Sequence, residues 1–208
     1  MMEQMKPMDI EKRSFAIITE LLGERRLDPE NELVIKRVIH TTADFDYVDN
    51  LVFSDHAVQK AIAALRAGCD IVTDTQMARA GINKTILASL GGEVHCFMSD
   101  ADVAAEAKER GMTRAFVSME RAAALEKPCI FAIGNAPTAL FSLEALMEAG
   151  KLHPALIIGV PVGFVNVVES KERIIKAAAA PYIVARGRKG GSNVAAAICN
   201  AMLYQIRR

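Results

Sequence analysis

The chain is poor in the groups that announce most ligand classes. It has no Trp, and 8 Phe with 3 Tyr make up its aromatics, a thin supply of stacking platforms for single-stranded nucleic acid. Neither sign of charge is in excess. Lys+Arg and Asp+Glu number 25 each, so no net field draws the chain to nucleic acid or anionic lipid, and only a local basic patch could do so. Cysteine is scarce as well. Cys69, Cys96, Cys129 and Cys199 lie far apart, with no Cys-x-x-Cys and no His pair at zinc spacing, a pattern of small core residues in a reducing cytoplasm rather than a metal site. The stretch Met1 to Asp9 is polar and lacks the apolar run of a secretory signal. The longest apolar stretch, Leu156 to Val168, is interrupted by Gly159, Pro161, Gly163 and Asn166, too short and broken for a bilayer, which takes about 20 apolar residues. The expectation is a cytoplasmic protein with no nucleic-acid or membrane partner.

What remains is ordinary globular material. Of the 208 residues 51% are hydrophobic, enough to bury a core without disulfide or metal staples. No repeat or Pro/Gly/Ser-rich linker divides the chain, so one domain over residues 1–208 is the simplest count. Phe15, Ile18 and Leu22 recur at helical spacing and Gly23 stops them. Asp28 and Pro29 read as a cap and first turn for a second helix, with Leu33, Val34, Val38 and Ile39 on its apolar face and its end near His40 and Thr41. Short apolar runs then alternate with helical patterns: Leu51–Phe53, Asp70–Thr73, Val94–Met98, Cys129–Ile133, Leu156–Val160 and Tyr182–Ala185, with helices after them, Asp74 reading as the cap of the second of these and the last opening at Ser192. Strands without polar alternation are buried on both faces. The expected fold is therefore α/β: three layers, a mainly parallel sheet of about five to six strands flanked by helices, with the first two helices as accessories.

In such sheets ligands bind beyond the carboxyl ends of the strands. Three loops there combine glycine with a helix start, whose free N–H groups and dipole favour an anion. They are Gly134-Asn135-Ala136-Pro137-Thr138, Gly159-Val160-Pro161-Val162-Gly163 and Arg186-Gly187-Arg188-Lys189-Gly190-Gly191-Ser192. Three on one rim suit a large ligand with several negative groups. Tight strand-to-helix turns also need glycine for their own sake, and the basic run reads equally as a solvated loop. Neither Gly-x-Gly-x-x-Gly after a strand nor a P-loop occurs, and no hydrolase signature is present. Asp44, Asp46 and Asp49 resemble a calcium loop without its Gly and closing Glu, and so read as a solvated turn. His56 reads as exposed, His95 as a satisfied strand residue and His153 as a loop residue. His40 differs: it falls at a helix C-terminus, which favours imidazolium, and it shares a face with Arg37 three residues earlier.

These stretches carry a resemblance. Arg13-Ser14-Phe15-Ala16-Ile17-Ile18, Arg37-Val38-Ile39-His40, Gly134-Asn135-Ala136-Pro137-Thr138-Ala139-Leu140, Gly159 to Val165 with Glu169-Ser170-Lys171, and Arg186-Gly187-Arg188 with Gly190-Gly191-Ser192 resemble the precorrin-8X methylmutase family of cobalamin biosynthesis, over about residues 10–203. The resemblance implies an isomerase that moves a methyl group from C-11 to C-12 of a tetrapyrrole, giving hydrogenobyrinate or its cobalt counterpart cobyrinate. It implies His40 as catalytic acid, Ser14, Arg37 and Arg114 as substrate contacts, a homodimer with its site near the interface, no organic cofactor and no protein-held metal, any cobalt being part of the substrate. The loop residues Gly134, Asn135, Ala136, Pro137, Thr138, Val162, Gly163, Arg186, Gly190, Gly191 and Ser192 are expected to line the tetrapyrrole. The run Thr41-Thr42-Ala43-Asp44 does not assign the chain to the cobalt or the metal-free branch.

The two lines of reasoning meet in the ligand, a flat apolar ring edged with carboxylates. A shift within one molecule needs no nucleophile, only a held ring and a proton. Two other classes use the same features. A phosphate- or nucleotide-binding α/β enzyme would be stabilised by nucleotides rather than corrinoids. A non-catalytic carrier of corrin intermediates would bind the ring and leave it unchanged.

Overall fold

The structure is a computed structural model that describes residues 7–207, so the polar opening from Met1 to Lys6 lies outside the described residues. In chain order the strands are β1 (Leu51–Phe53), β2 (Asp70–Thr73), β3 (Val94–His95), β4 (Cys129–Ile133), β5 (Leu156–Gly159) and β6 (Tyr182–Ala185). The helices are α1 (Pro7–Leu22), α2 (Glu32–Thr42), α3 (Tyr47–Asn50), α4 (Ala57–Arg66), α5 (Gln76–Gly81), α6 (Lys84–Ser89), α7 (Ala101–Glu109), α8 (Arg114–Ala122), α9 (Pro137–Glu148), α10 (Val167–Ala177) and α11 (Ser192–Ile206). The strands form one sheet in the order β1-β6-β5-β4-β2-β3, parallel except for β1, which runs antiparallel to β6.

Side chains of a strand alternate between faces, and the core divides accordingly. Ile130, Ile158 and Ile183 point to one side, where Ile39, Leu65, Val194 and Met202 of α2, α4 and α11 cover them. Phe131, Ile157 and Val184 point to the other, against Met119, Leu140, Leu143 and Ile174 of α8, α9 and α10. Each such side chain contributes about 1.5–3 kcal/mol when fully buried. This is the three-layer α/β fold expected from the uninterrupted apolar strands. The four cysteines are free and buried, and burial pushes the thiols of Cys69, Cys129 and Cys199 up to about 12.

Several boundaries differ from the reading of the sequence. Asp28 does not cap α2. Its carboxylate accepts from the Glu30 amide and the Asn31 side chain, both at 3.0 Å, in a turn that precedes the helix. The strand expected over Val94–Met98 stops at His95, because Phe97–Ser99 coils into a 3-10 turn. Helix α6 was not foreseen; six residues are too few to show a helical period, and its signal is Asn83, whose side chain accepts from the Ile86 amide. Helix α10 starts at Val167 rather than beside Gly163, leaving an exposed loop between. Among the described residues no helix is long and apolar enough to cross a membrane.

From β2 the chain steps outward to β3, then returns past β2 to β4, β5 and β6. The reversal lies between β2 and β4, so their carboxyl ends frame the crevice where such sheets usually take a ligand. Because β1 is antiparallel, Leu51 faces Ala185 at this same rim. That brings α3 and the end of α2 to the rim as well.

Candidate active site

The buried stripe Val34, Ile35, Val38 and Ile39 seats α2 on the core and leaves His40 turned outward. The helix ends there because Ala43 adopts a left-handed conformation (φ 54°) with its amide on the Ile39 carbonyl. Helix α1 lies across this end. Its Ser14 Oγ is 2.8 Å from His40 Nδ1, and its Phe15 ring lies 5.8 Å from the imidazole. The other ring nitrogen, Nε2, has no partner among the described residues.

One turn back, Arg37 is nearly enclosed. Its guanidinium carbon sits 4.9 Å from the Phe15 ring and 5.1 Å from the Tyr204 ring, and Nη2 donates to Glu11 at 2.6 Å. Its Nε is buried without a hydrogen-bond partner among the described residues, which is a desolvation cost of about 1–3 kcal/mol unless something else fills it. A cleft of about 500 Å³, walled by Phe15, Leu33, Arg37, Ala201, Tyr204 and Gln205, opens beside it. Ser14, Arg37 and His40, separated by up to 26 positions in sequence, thus form one cluster with Phe15 at its centre.

A second hollow, about 370 Å³, adjoins the end of α2. Thr42, Tyr47, Val162, Lys189, Gly190 and Asn193 are among its walls. Two of the three glycine-bearing loops therefore meet the helix that carries His40. Gly163 donates its amide to the Arg188 carbonyl at 3.2 Å, and Gly191 donates to the Val160 carbonyl at 2.9 Å, so these loops are fastened together. Lys189 Nζ bonds Asp44 and Asp46 at 2.6 Å each. The carboxylates that looked like a calcium loop thus hold a cation of the chain itself. The Lys189 ammonium beside it holds the Asp44 carboxyl below its ordinary range. Arg186 pairs with Glu172 at 3.2 Å.

The third loop differs. The amides of Gly134, Asn135 and Ala136 donate to the Asp74 carboxylate at 2.8, 2.8 and 2.6 Å. Asp74 is wholly buried, and burial pushes its carboxyl up from the ordinary range against the pull of those three amides. The expectation of open N–H groups at this helix start is corrected: an internal carboxylate holds them. Asp74 is also not the cap of α5, a role taken by Thr75, whose hydroxyl accepts from the Ala78 amide. Gly134 is there for packing, since a Cβ would lie 2.7 Å from Ser192 Cα; at Gly190 it would lie 2.0 Å from the Val160 oxygen. Ser192 Oγ in turn meets Thr75 Oγ1 at 2.7 Å.

Pro137 and Thr138 open α9, and the Thr138 hydroxyl accepts from Thr113 at 2.8 Å. Arg114 reaches the Met98 carbonyl at 3.4 Å. It belongs to a helix packed on the opposite face of the sheet from α2, and no contact joins it to His40. Arg114 and Thr138 share the rim with the His40 cluster but stand across it. Phe15, Tyr204, Asp74 and Lys171 carry no site role in the sequence reading, although Phe15 and Lys171 stand in its motifs and Asp74 reads there as a cap. Their signals are an aromatic beside the Ser14 position, an aromatic in the last turn of an apolar helix, an acid directly after a buried strand, and a lysine on an otherwise apolar helix face. Among the described residues no three His, Cys, Asp or Glu side chains are grouped as metal ligands.

The chain is similar to known proteins in sequence and in overall fold. Residues 9–205 match the precorrin-8X methylmutase family. The chain is 48% identical to the cobalt-precorrin-8 methylmutase of Salmonella typhimurium across 97% of each protein. It is 41% identical to the precorrin-8X methylmutase of Pseudomonas aeruginosa across 93% of each. The crystal structure of precorrin-8x methyl mutase from Thermus thermophilus superposes with a TM-score of 0.85 at 36% identity, covering 94% of this chain and 96% of that one.

Proposed function

The chain belongs to the precorrin-8X methylmutase family, and from that premise we propose how its residues perform the methyl shift. It is an isomerase of cobalamin biosynthesis. The substrate we assign is cobalt-precorrin-8, the cobalt being part of the ring, because the chain is closer to the relative named for that compound than to the one named for the metal-free ring. The methyl moves from C-11 to C-12, giving cobyrinate. One carbon–carbon bond breaks and one forms within the same molecule, so the protein needs neither nucleophile nor organic cofactor, and any proton lent to the ring is balanced by one released.

The observation that carries this reading is the Ser14–His40 pair standing beside the cleft that Arg37 walls. When Ser14 donates to Nδ1, the neutral imidazole carries its proton on Nε2; when the ring is cationic, Ser14 accepts and Nε2 is still protonated. Whereas a neutral ring that donates Nδ1–H to Ser14 leaves Nε2 bare, the cationic ring is the form that acts as an acid, with its Nε2 proton facing outward. It is positioned for the macrocycle, and one such acid contributes about 10²–10⁴ in rate. Arg37, with an unfilled Nε, is a carboxylate partner for the ring's periphery. Val162, Gly163, Gly190, Gly191 and Ser192 border one side of the bed, with Arg186 beside them, and Arg114, Thr138 and Pro137 stand across the rim. Gly134, Asn135 and Ala136 shape it through Asp74 rather than through free amides.

Helix α1 also exposes Ile10, Ile17 and Leu21 on one stripe. This supports a homodimer that covers α1 and brings the partner close to Ser14 and His40; sedimentation at micromolar concentration is expected to give twice the monomer mass. A cytoplasmic location agrees with its free buried cysteines.

The test is direct. Purified protein incubated with cobalt-precorrin-8 is expected to change the visible spectrum of the ring as the methyl migrates, with product mass unchanged. A ring bound but left unaltered would make the protein a carrier.

A further inference from the structure

Helix α10 buries Val167, Ser170, Lys171 and Ile174 on one face. Three of these suit an interior; the lysine does not. Lys171 is completely buried, and its Nζ donates to the carbonyls of Gly187 and Lys189, both at 2.9 Å. No carboxylate is bonded to it among the described residues. A buried ammonium held only by backbone carbonyls is costly, and an apolar residue would pack the same face. What the lysine adds is a fixed path for the loop between β6 and α11. That loop bears Arg186, Arg188 and Lys189, and its Gly190 touches the backbone of Val160.

We propose that Lys171 is a positioning residue for the methyl-shift site, a buried tether that holds residues 186–191 in the shape in which they border the ring. The assignment rests on the reading of the rim as the tetrapyrrole bed. The charged groups around the tether are otherwise occupied. On α10, Arg173 pairs with Glu144 of α9 and with Glu169, while Glu172 takes Arg186. On the loop, Lys189 is held by Asp44 and Asp46, and Arg188 lies over Phe164. The tether is therefore a matter of one ammonium and two carbonyls. Burial lowers its pKa to about 8. As pH rises through that value the ammonium becomes an amine that keeps two N–H groups for the two carbonyls, and the desolvation cost of the buried charge is relieved.

The experiment compares wild type, Lys171→Met and Lys189→Met. In Lys171→Met, amide hydrogen exchange over residues 186–191, measured without ligand, is expected to speed up by about tenfold or more. KM for the ring should rise about tenfold while kcat stays within about threefold, the signature of lost binding rather than lost chemistry. Lys189→Met keeps the carbonyl that Lys171 uses but releases Asp44 and Asp46, so its loop should loosen only in part and less than in Lys171→Met. In wild type, loop protection corrected for intrinsic exchange should rise above about pH 8, because a folded pKa below that of a free lysine means that the closed loop favours the neutral amine; Lys171→Met should lack that limb. Unchanged loop exchange, or unchanged KM with a loosened loop, overturns the assignment, as does equal loosening in Lys189→Met. Should Lys171→Met fail to fold, the wild-type profile decides alone, and one that is flat from about pH 7 to 9.5 overturns it. Wild type that leaves the ring unaltered strikes the functional reading instead, before any variant is compared.

Discussion

At the crevice between β2 and β4, the three loop amides that precede α9 donate to Asp74, and Ser192 is bonded to Thr75. At the corner where α1 crosses α2, the Nε of Arg37 is buried without a partner among the described residues and the imidazole of His40 stands exposed. The first region is where a doubly wound sheet ordinarily takes an anion, yet its anion is a side chain of the protein. The second is built from accessory helices that no rule of sheet topology nominates. The difference shows that strand order marks where polar backbone converges, while unfilled hydrogen-bonding capacity marks where a ligand is still needed.

Breaking the second region should abolish the reaction and leave the fold intact. His40→Asn removes the acid but keeps a polar side chain on an exposed position, so turnover followed by the ring's visible spectrum is expected to fall by about 10²–10⁴, with ring affinity kept. Near-normal conversion by that variant would remove His40 from its role. Breaking the first region should do the converse. Asp74→Ala strands the buried amide of Gly134 and the partly buried amides of Asn135 and Ala136, and at about 1–3 kcal/mol each, partly recovered by water, the expected loss is about 3 kcal/mol of stability. Chemical denaturation should show it as a lower midpoint with an unchanged slope. If Asp74→Ala instead melts like wild type, the crevice is open to other occupants and the contrast between the regions fails.

The layered sheet was legible because burial on both faces leaves a simple trace: runs such as Cys129–Ile133 and Tyr182–Ala185 carry no polar alternation, and both are strands with those bounds. The antiparallel direction of β1 was not, since three residues record no direction. Within the site, His40 and Arg37 were legible as neighbours on one helix. That Phe15 and Tyr204 sandwich Arg37 was not, because α1, α2 and α11 come together only through the core beneath them. Asp74 was misread for a related reason. An acid after a strand and before a helix has the pattern of a cap, and only the crossing of the chain from β2 to β4 places the amides of residues 134–136 within its reach.

The mildest test lies inside the open region. Ser14 contributes no proton to the ring in the mechanism above; its hydroxyl holds Nδ1 and thereby turns Nε2 outward. Ser14→Ala leaves His40 seated against Phe15 and able to rotate. Loss of one hydrogen bond at a partly exposed position is worth about 1 kcal/mol, roughly fivefold in rate. The expected result is a fall of that size in kcat with KM nearly unchanged, because orientation of the acid matters only once protonation begins. A fall as deep as that of His40→Asn would mean that the hydroxyl takes part in the proton transfer itself. The open region would then hold a two-residue relay rather than one acid and its support.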